Sequence, residues 1–225
     1  MNSKLYIVST PIGNYNDISL RALNVLKEVA FIICEEFKEA RRLLSHFQIK
    51  KELFSLNEHN EEEASREILQ KILEEKSAAL ITDCGTPLFS DPGTKLVQMC
   101  INAKIDIAPV PGASSILPAL VGSGFNIDRF YYAGWLSPKS EWRKKELLRL
   151  KSIKELIVLM ETPYRLKAIL TDLLKIFGSS SQIVVAFDLT MPTEKFFRGT
   201  AAEILKIVTE EKLKGEFVLL INNLK

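Results

Sequence analysis

The chain has 225 residues, of which 47% are hydrophobic and 26% charged; that is the composition of a folded protein, not of a disordered or repetitive one. The length suits one or two compact domains that bury about 70% of the unfolded surface, so no metal or disulfide staple is required. Thirty basic residues against 28 acidic ones leave a net charge of +2, which excludes a uniformly basic coat for nucleic acid but leaves room for a local patch.

Cys34, Cys84 and Cys100 have neither metal-ligand nor redox spacing, so no bound metal and a reducing, cytoplasmic setting are expected. The start of the chain does not read as a signal peptide. Apolar runs such as Leu156 to Met160 fall far short of the ~18 residues that span a bilayer, so no membrane partner is expected.

In chain order, the apolar periodicity predicts strands and helices in near alternation. The first half reads as strand 5–9, helix 19–29, strand 31–34, helices 37–47 and 61–75, strand 78–82, helix 93–103 and strand 105–108. The second half reads as helix 114–123, strand 129–133, helix 140–150, strand 156–160, helix 165–177, strands 183–187 and 195–198, helix 200–212 and strand 217–221. This is an α/β pattern with a mostly parallel sheet first and a mixed sheet second. The stiff run Pro109-Val110-Pro111-Gly112 reads as a hinge, which sets domains at 1–112 and 113–225.

Three loops follow predicted strands, where open α/β sheets bind ligands. They are Ser9–Asn14, Asp83–Gly93 and Val110–Ser115. The second holds two Gly and two Pro, which allow close approach of backbone and fix its shape. No Gly-x-Gly-x-x-Gly follows the first strand and no Gly-x-x-x-x-Gly-Lys-Ser/Thr occurs, which disfavours kinases, NTPases and nicotinamide dehydrogenases. Two histidines, His46 and His59, are too few for a His-rich metal site.

Charge is unevenly spread. Residues 139–154 carry seven basic side chains, Lys139, Arg143, Lys144, Lys145, Arg149, Lys151 and Lys154, against two acidic ones, a local +5. Trp135 and Trp142 lie within or beside this run, a combination that suits a phosphate backbone with stackable bases. Segment 57–75 is the acidic counterweight.

The strings Leu5-Tyr6-Ile7-Val8-Ser9-Thr10-Pro11-Ile12-Gly13-Asn14, Glu58-His59-Asn60, Gly85-Thr86-Pro87-Leu88, Ser90-Asp91-Pro92-Gly93, Asp128-Arg129-Phe130, Arg198-Gly199-Thr200 and Gly215-Glu216-Phe217-Val218 occur in order along the chain. Together they resemble the tetrapyrrole methylase superfamily, the class III S-adenosylmethionine-dependent methyltransferases. Within it, the branch most similar methylates a ribose 2′-hydroxyl of small-subunit ribosomal RNA. The resemblance implies two α/β domains with S-adenosylmethionine in a cleft between them, a homodimer, and RNA as substrate. It places the cofactor against Pro11, Ile12, Gly85, Thr86, Pro87, Leu88, Phe89, Ser115, Ile116, Met160, Ala186 and Glu216.

Methyl transfer to a hydroxyl needs alignment of the reacting atoms and a proton acceptor. Glu35, Glu36, His59 and Asp83 are the candidates for that role, and Arg41, Arg129, Lys139, Arg143, Lys144 and Arg165 the candidates for holding phosphate. Two motifs depart from the branch: Glu35-Glu36-Phe37-Lys38 stands where Glu-Asp-Thr-Arg is usual, and Phe187-Asp188-Leu189-Thr190-Met191 where Arg-Glu-Leu-Thr-Lys is usual. Many members also carry a further C-terminal helical segment linked to RNA binding. A porphyrin or corrin C-methyltransferase is the nearest enzymatic alternative, and a non-catalytic RNA-binding relative with the same fold is the other.

Overall fold

The structure, a computed structural model, describes residues 3–224. They form two compact units that divide between Ser114 and Ser115.

The first unit runs β1 (Lys4–Val8), α1 (Leu20–Glu28), β2 (Phe31–Cys34), α2 (Phe37–His46), β3 (Glu52–Ser55), α3 (Glu61–Glu75), β4 (Ser77–Leu80), α4 (Thr94–Asn102) and β5 (Asp106–Val110). Its sheet is wholly parallel with order β3-β2-β4-β1-β5. From β1 the chain steps one way across the sheet to β2 and β3, then back to β4 and β5. Right-handed crossovers therefore put α1 and α2 on one face and α3 and α4 on the other. The cores agree. Leu26, Leu43 and Leu44 pack with Val8, Ile32 and Ala79 on the first face, and Ile68, Ile72 and Leu96 with Leu5, Phe31 and Leu80 on the second.

Two local readings are corrected. β3 was not expected: it is four residues at the sheet edge, too short to show alternation, with Leu53 packed towards one face and Phe54 towards the other. The strand expected to end at residue 108 runs on through Pro109 to Val110 as β5, in register with Ile7 and Val8. An edge strand tolerates proline because half of its N–H groups face no neighbour.

The second unit runs α5 (Ile116–Ser123), β6 (Phe130–Trp135), α6 (Ser140–Lys151), β7 (Leu156–Glu161), α7 (Leu166–Phe177), β8 (Gln182–Phe187), β9 (Lys195–Thr200), α8 (Ala201–Glu210) and β10 (Phe217–Asn222). The sheet order is β6-β7-β10-β8-β9, with β6 and β7 parallel and the remaining pairs antiparallel, which is the mixed sheet expected. Leu147 and Leu150 of α6, Ile169 and Leu173 of α7, and Ile204 and Val208 of α8 pack on Ile157, Leu159, Val185 and Leu219. α5 lies against β8, β9 and β10.

The second core contains charge, which calls for partners. Arg143 is 7% exposed. Its Nε and Nη2 donate to Asp172 Oδ2 at 2.9 and 2.6 Å, and its Nη1 donates to Pro138 O at 3.2 Å. Arg165 Nη2 lies 2.9 Å from Glu161 Oε2 and donates to Leu136 O and Ser137 O, each at 2.8 Å. Both arginines thus hold the loop that follows β6, and Glu146 completes the clamp by accepting from Ser137 N–H at 2.8 Å.

Asp172→Ala strands the Arg143 guanidinium without a counter-charge and is expected to cost about 3–5 kcal/mol of stability. Urea unfolding of Asp172→Ala and Asp172→Asn measures it. A loss under about 1 kcal/mol for the alanine variant means that water reaches the guanidinium.

Candidate active site

Neighbouring strands β1 and β4 send their following connections to opposite faces of the first sheet, which opens a crevice beyond their carboxyl ends. The three loops singled out in the sequence meet there. Thr10 N–H donates to Gly85 O at 2.8 Å and Gly85 N–H to Thr10 O at 3.1 Å, an antiparallel bridge between the first loop and the second. The Thr10 hydroxyl donates to Thr82 O at 3.2 Å. Ser9 Oγ and Thr86 Oγ1 are 3.0 Å apart, and Thr86 Oγ1 donates to Ala113 O at 3.3 Å, which ties in the third loop.

This arrangement is demanding of backbone. Gly85 sits at φ +82°. A Cβ on Gly112 would stand 2.9 Å from Ser9 Cβ, so only glycine lets the third loop approach the first. Leu88 and Ser90 adopt φ +71° and +74°, a left-handed conformation that costs non-glycine residues about 1–3 kcal/mol each and concentrates at ligand sites. The result is a rim of bent main chain with Ile12, Leu88 and Phe89 as its apolar side chains. Polar main-chain groups beside apolar side chains fit a nucleoside with a charged amino-acid tail. Of the cofactor candidates here, Pro11, Gly85 and Pro87 are buried, while Thr86 and Phe89 are exposed.

A carboxylate group borders this rim. Burial raises the Glu35 pKa, and Asp83, Asp91, Glu58 and Glu36 raise it further. Burial likewise raises Asp83, opposed by a backbone hydrogen bond from Glu36. Asp91 is raised by burial and partly offset by a hydrogen bond from Thr82. The structure therefore brings Glu35, Glu36 and Asp83 together and adds Asp91, which the sequence reading passed over as a turn former. His59 is exposed, its backbone N–H donating to Asn57 Oδ1 at 3.0 Å. Among the described residues no group of three or more His, Cys, Asp or Glu side chains is placed to hold a metal ion.

In the second unit, Met160 is half-buried and its sulphur accepts from Tyr132 OH at 3.3 Å. Ser115 directly precedes α5, and Ile116 is buried in its first turn. Glu216 is exposed beside Asp188, its pKa raised by burial and by that neighbour. Ala186 is wholly buried in β8, opposite Val218 and Phe196.

The phosphate candidates divide. Arg143 faces inward to Asp172 and Pro138 O, and Arg165 Nη2 is engaged with Glu161 and the carbonyls of Leu136 and Ser137. Arg129 and Lys139 are exposed, and Lys144 is half-buried. The Arg41 guanidinium lies over the Phe37 ring, 5.4 Å from its centroid.

The family model described as "Tetrapyrrole (Corrin/Porphyrin) Methylases" matches residues 4–205. The protein named "Ribosomal RNA small subunit methyltransferase I" of Synechocystis sp. is 41% identical over 217 residues, covering 96% of this chain and 78% of that protein. Its namesake in Vibrio cholerae is 39% identical over 220 residues, covering 97% of this chain and 76% of the other. Among solved structures, uroporphyrin-III-C-methyltransferase from Thermus thermophilus covers 99% of this chain and 95% of its own at a TM-score of 0.66 with 19% identity, which speaks to the fold alone. Fold and site thus define a methylase, and the chain belongs to the tetrapyrrole (corrin/porphyrin) methylase family. It is an S-adenosylmethionine-dependent methyltransferase.

Because the Glu35 and Asp83 pKa values are raised in the folded state, the native protein holds their protons more tightly than the unfolded chain does. Stability then falls as pH rises through that window. Glu35→Gln and Asp83→Asn are expected to raise Tm at pH 7, and the gain is expected to vanish on acidification below the ordinary carboxylate range. Melting curves across pH check this, and an equal gain at all pH values contradicts it.

Proposed function

We propose that the chain methylates ribosomal RNA of the small subunit at a ribose 2′-hydroxyl, in the cytoplasm and as a homodimer. The observation that carries the reading is the similarity to relatives named for that RNA over nearly the whole chain. The cofactor supplies a methyl group made electrophilic by its sulfonium. The bends at Thr10–Gly13, Gly85–Phe89 and Gly112–Ala113 hold its polar tail through main-chain groups, and Ile12, Leu88 and Phe89 shield its apolar parts from water. Ser115, Ile116, Met160 and Glu216 are assigned to the cofactor by the family resemblance alone.

The acceptor hydroxyl must release a proton as the methyl group arrives. Glu35 and Asp83 are assigned to take it, directly or through water, because their raised pKa values bring them closer to neutrality than an ordinary carboxylate. Glu36 shapes their field. No helix among the described residues is long and apolar enough to cross a membrane.

The test is incubation with methyl-labelled cofactor and small-subunit RNA from cells lacking the enzyme, followed by nuclease digestion. Label in a 2′-O-methyl nucleoside supports the reading. Label in a porphyrin or corrin, or in no acceptor, overturns it. Gly112→Ala presses a methyl group on Ser9 and is expected to weaken donor binding about tenfold or more, read by calorimetry, with the circular dichroism unchanged. Undiminished binding places the donor elsewhere.

A further inference from the structure

We propose that the end of the second sheet from which β6 and β7 emerge is an aromatic platform for unpaired nucleotides of an RNA strand, with Tyr164 and Trp142 as its stacking rings. The proposal rests on the reading that RNA is the substrate. β6 and β7 are parallel neighbours, so the segments after them leave from the same end of the sheet. Tyr164, in the turn after β7, is 79% exposed, and Trp142, in the first turn of α6, is 56% exposed.

Each ring carries a cation. Lys214 Nζ lies 4.6 Å from the Tyr164 centroid and Lys145 Nζ 4.6 Å from the Trp142 centroid. Lys214 reaches Tyr164 because β10 begins opposite the end of β7, Phe217 pairing with Glu161. Exposed Lys139 and Arg149 extend the positive field. With an ammonium over one face, each ring offers a base its other face and the adjoining phosphate a counter-charge, which is the chemistry of single-stranded nucleic acid; a duplex keeps its base faces covered.

The platform is held in place beforehand. Arg165 fixes Leu136 and Ser137 by their carbonyls, and Arg143, the residue next to Trp142, fixes Pro138 and is itself locked on Asp172. Little freedom of the loop is left to be lost when a strand binds.

Fluorescence anisotropy of the full chain with a labelled single-stranded oligoribonucleotide, and with a duplex of the same sequence, tests the proposal. Tyr164→Ala and Trp142→Ala are each expected to weaken single-strand binding roughly 5- to 150-fold with an unchanged salt slope. Tyr164→Phe and Trp142→Phe keep a ring and are expected to restore most of it, with melting curves confirming that all four variants fold. Alanine variants that bind within about twofold of wild type, or lose as much on duplex as on single strand, overturn the platform. If those variants bind normally while the wild type methylates RNA, the platform alone fails. Single-strand binding that depends on the rings, without methyl transfer to any RNA, removes the methylation reading and leaves the platform standing. Absence of RNA binding by the wild type overturns both.

Discussion

The backbone bridge between Thr10 and Gly85 governs the first unit's site. It joins the ends of two strands whose crossovers diverge to opposite faces. Ser9 and Thr10 are buried polar residues, and each of their hydroxyls has a partner on the second loop or on the strand end before it. Burial without those partners would cost each hydroxyl on the order of 1–3 kcal/mol, so the pairing and the loop shape are mutually enforcing. With the first two loops locked, the third has one way to approach: Gly112 against Ser9, with Ala113 O within reach of Thr86. The left-handed Leu88 and Ser90 are sustained by the same closure.

The second unit uses a different device for the same purpose. Its loop after β6 has no backbone bridge of this kind in the contacts described above. Guanidinium groups from α6 and the turn after β7 reach into it and bind its carbonyls. Burying those charges is tolerable because Asp172 and Glu161 are buried with them. One loop is thus held by hydroxyls and main chain, the other by ion pairs.

Much of this was legible in the sequence. The helices announce themselves by period, Ile68 and Ile72 on α3 for example, and the central strands by runs such as Leu156–Leu159. The three loops that meet beyond the first sheet were legible because glycine and proline are concentrated after apolar strands. β3 escaped because four residues at an edge carry no readable period. Asp91 escaped because an Asp-Pro-Gly string looks the same whether its carboxyl is exposed or, as here, half-buried near Thr82. Ala186 shows a related limit, because a small residue in mid-strand is open or buried according to what packs over it. Only the folded arrangement decides that.

The charge pattern shows the same limit at its sharpest. Seven cations in one run read as a single patch, but a helix distributes consecutive residues over its circumference. Arg143 turns inward to Asp172, whereas Lys145 turns outward to Trp142. What is left for a polyanion is mostly lysine: Lys139, Lys145 and Lys214, with Lys144 beside Asp172 at 4.0 Å. Lysine is a mobile point charge without the planar fork that reads phosphate in two bonds, so it supplies attraction rather than register. Register must then come from shape, and the fixed rings of Trp142 and Tyr164 beside those lysines are the rigid features of that surface. Arg143 and Arg165, two of the arginines that the sequence alone would nominate to grip RNA, instead immobilise the loop that follows β6.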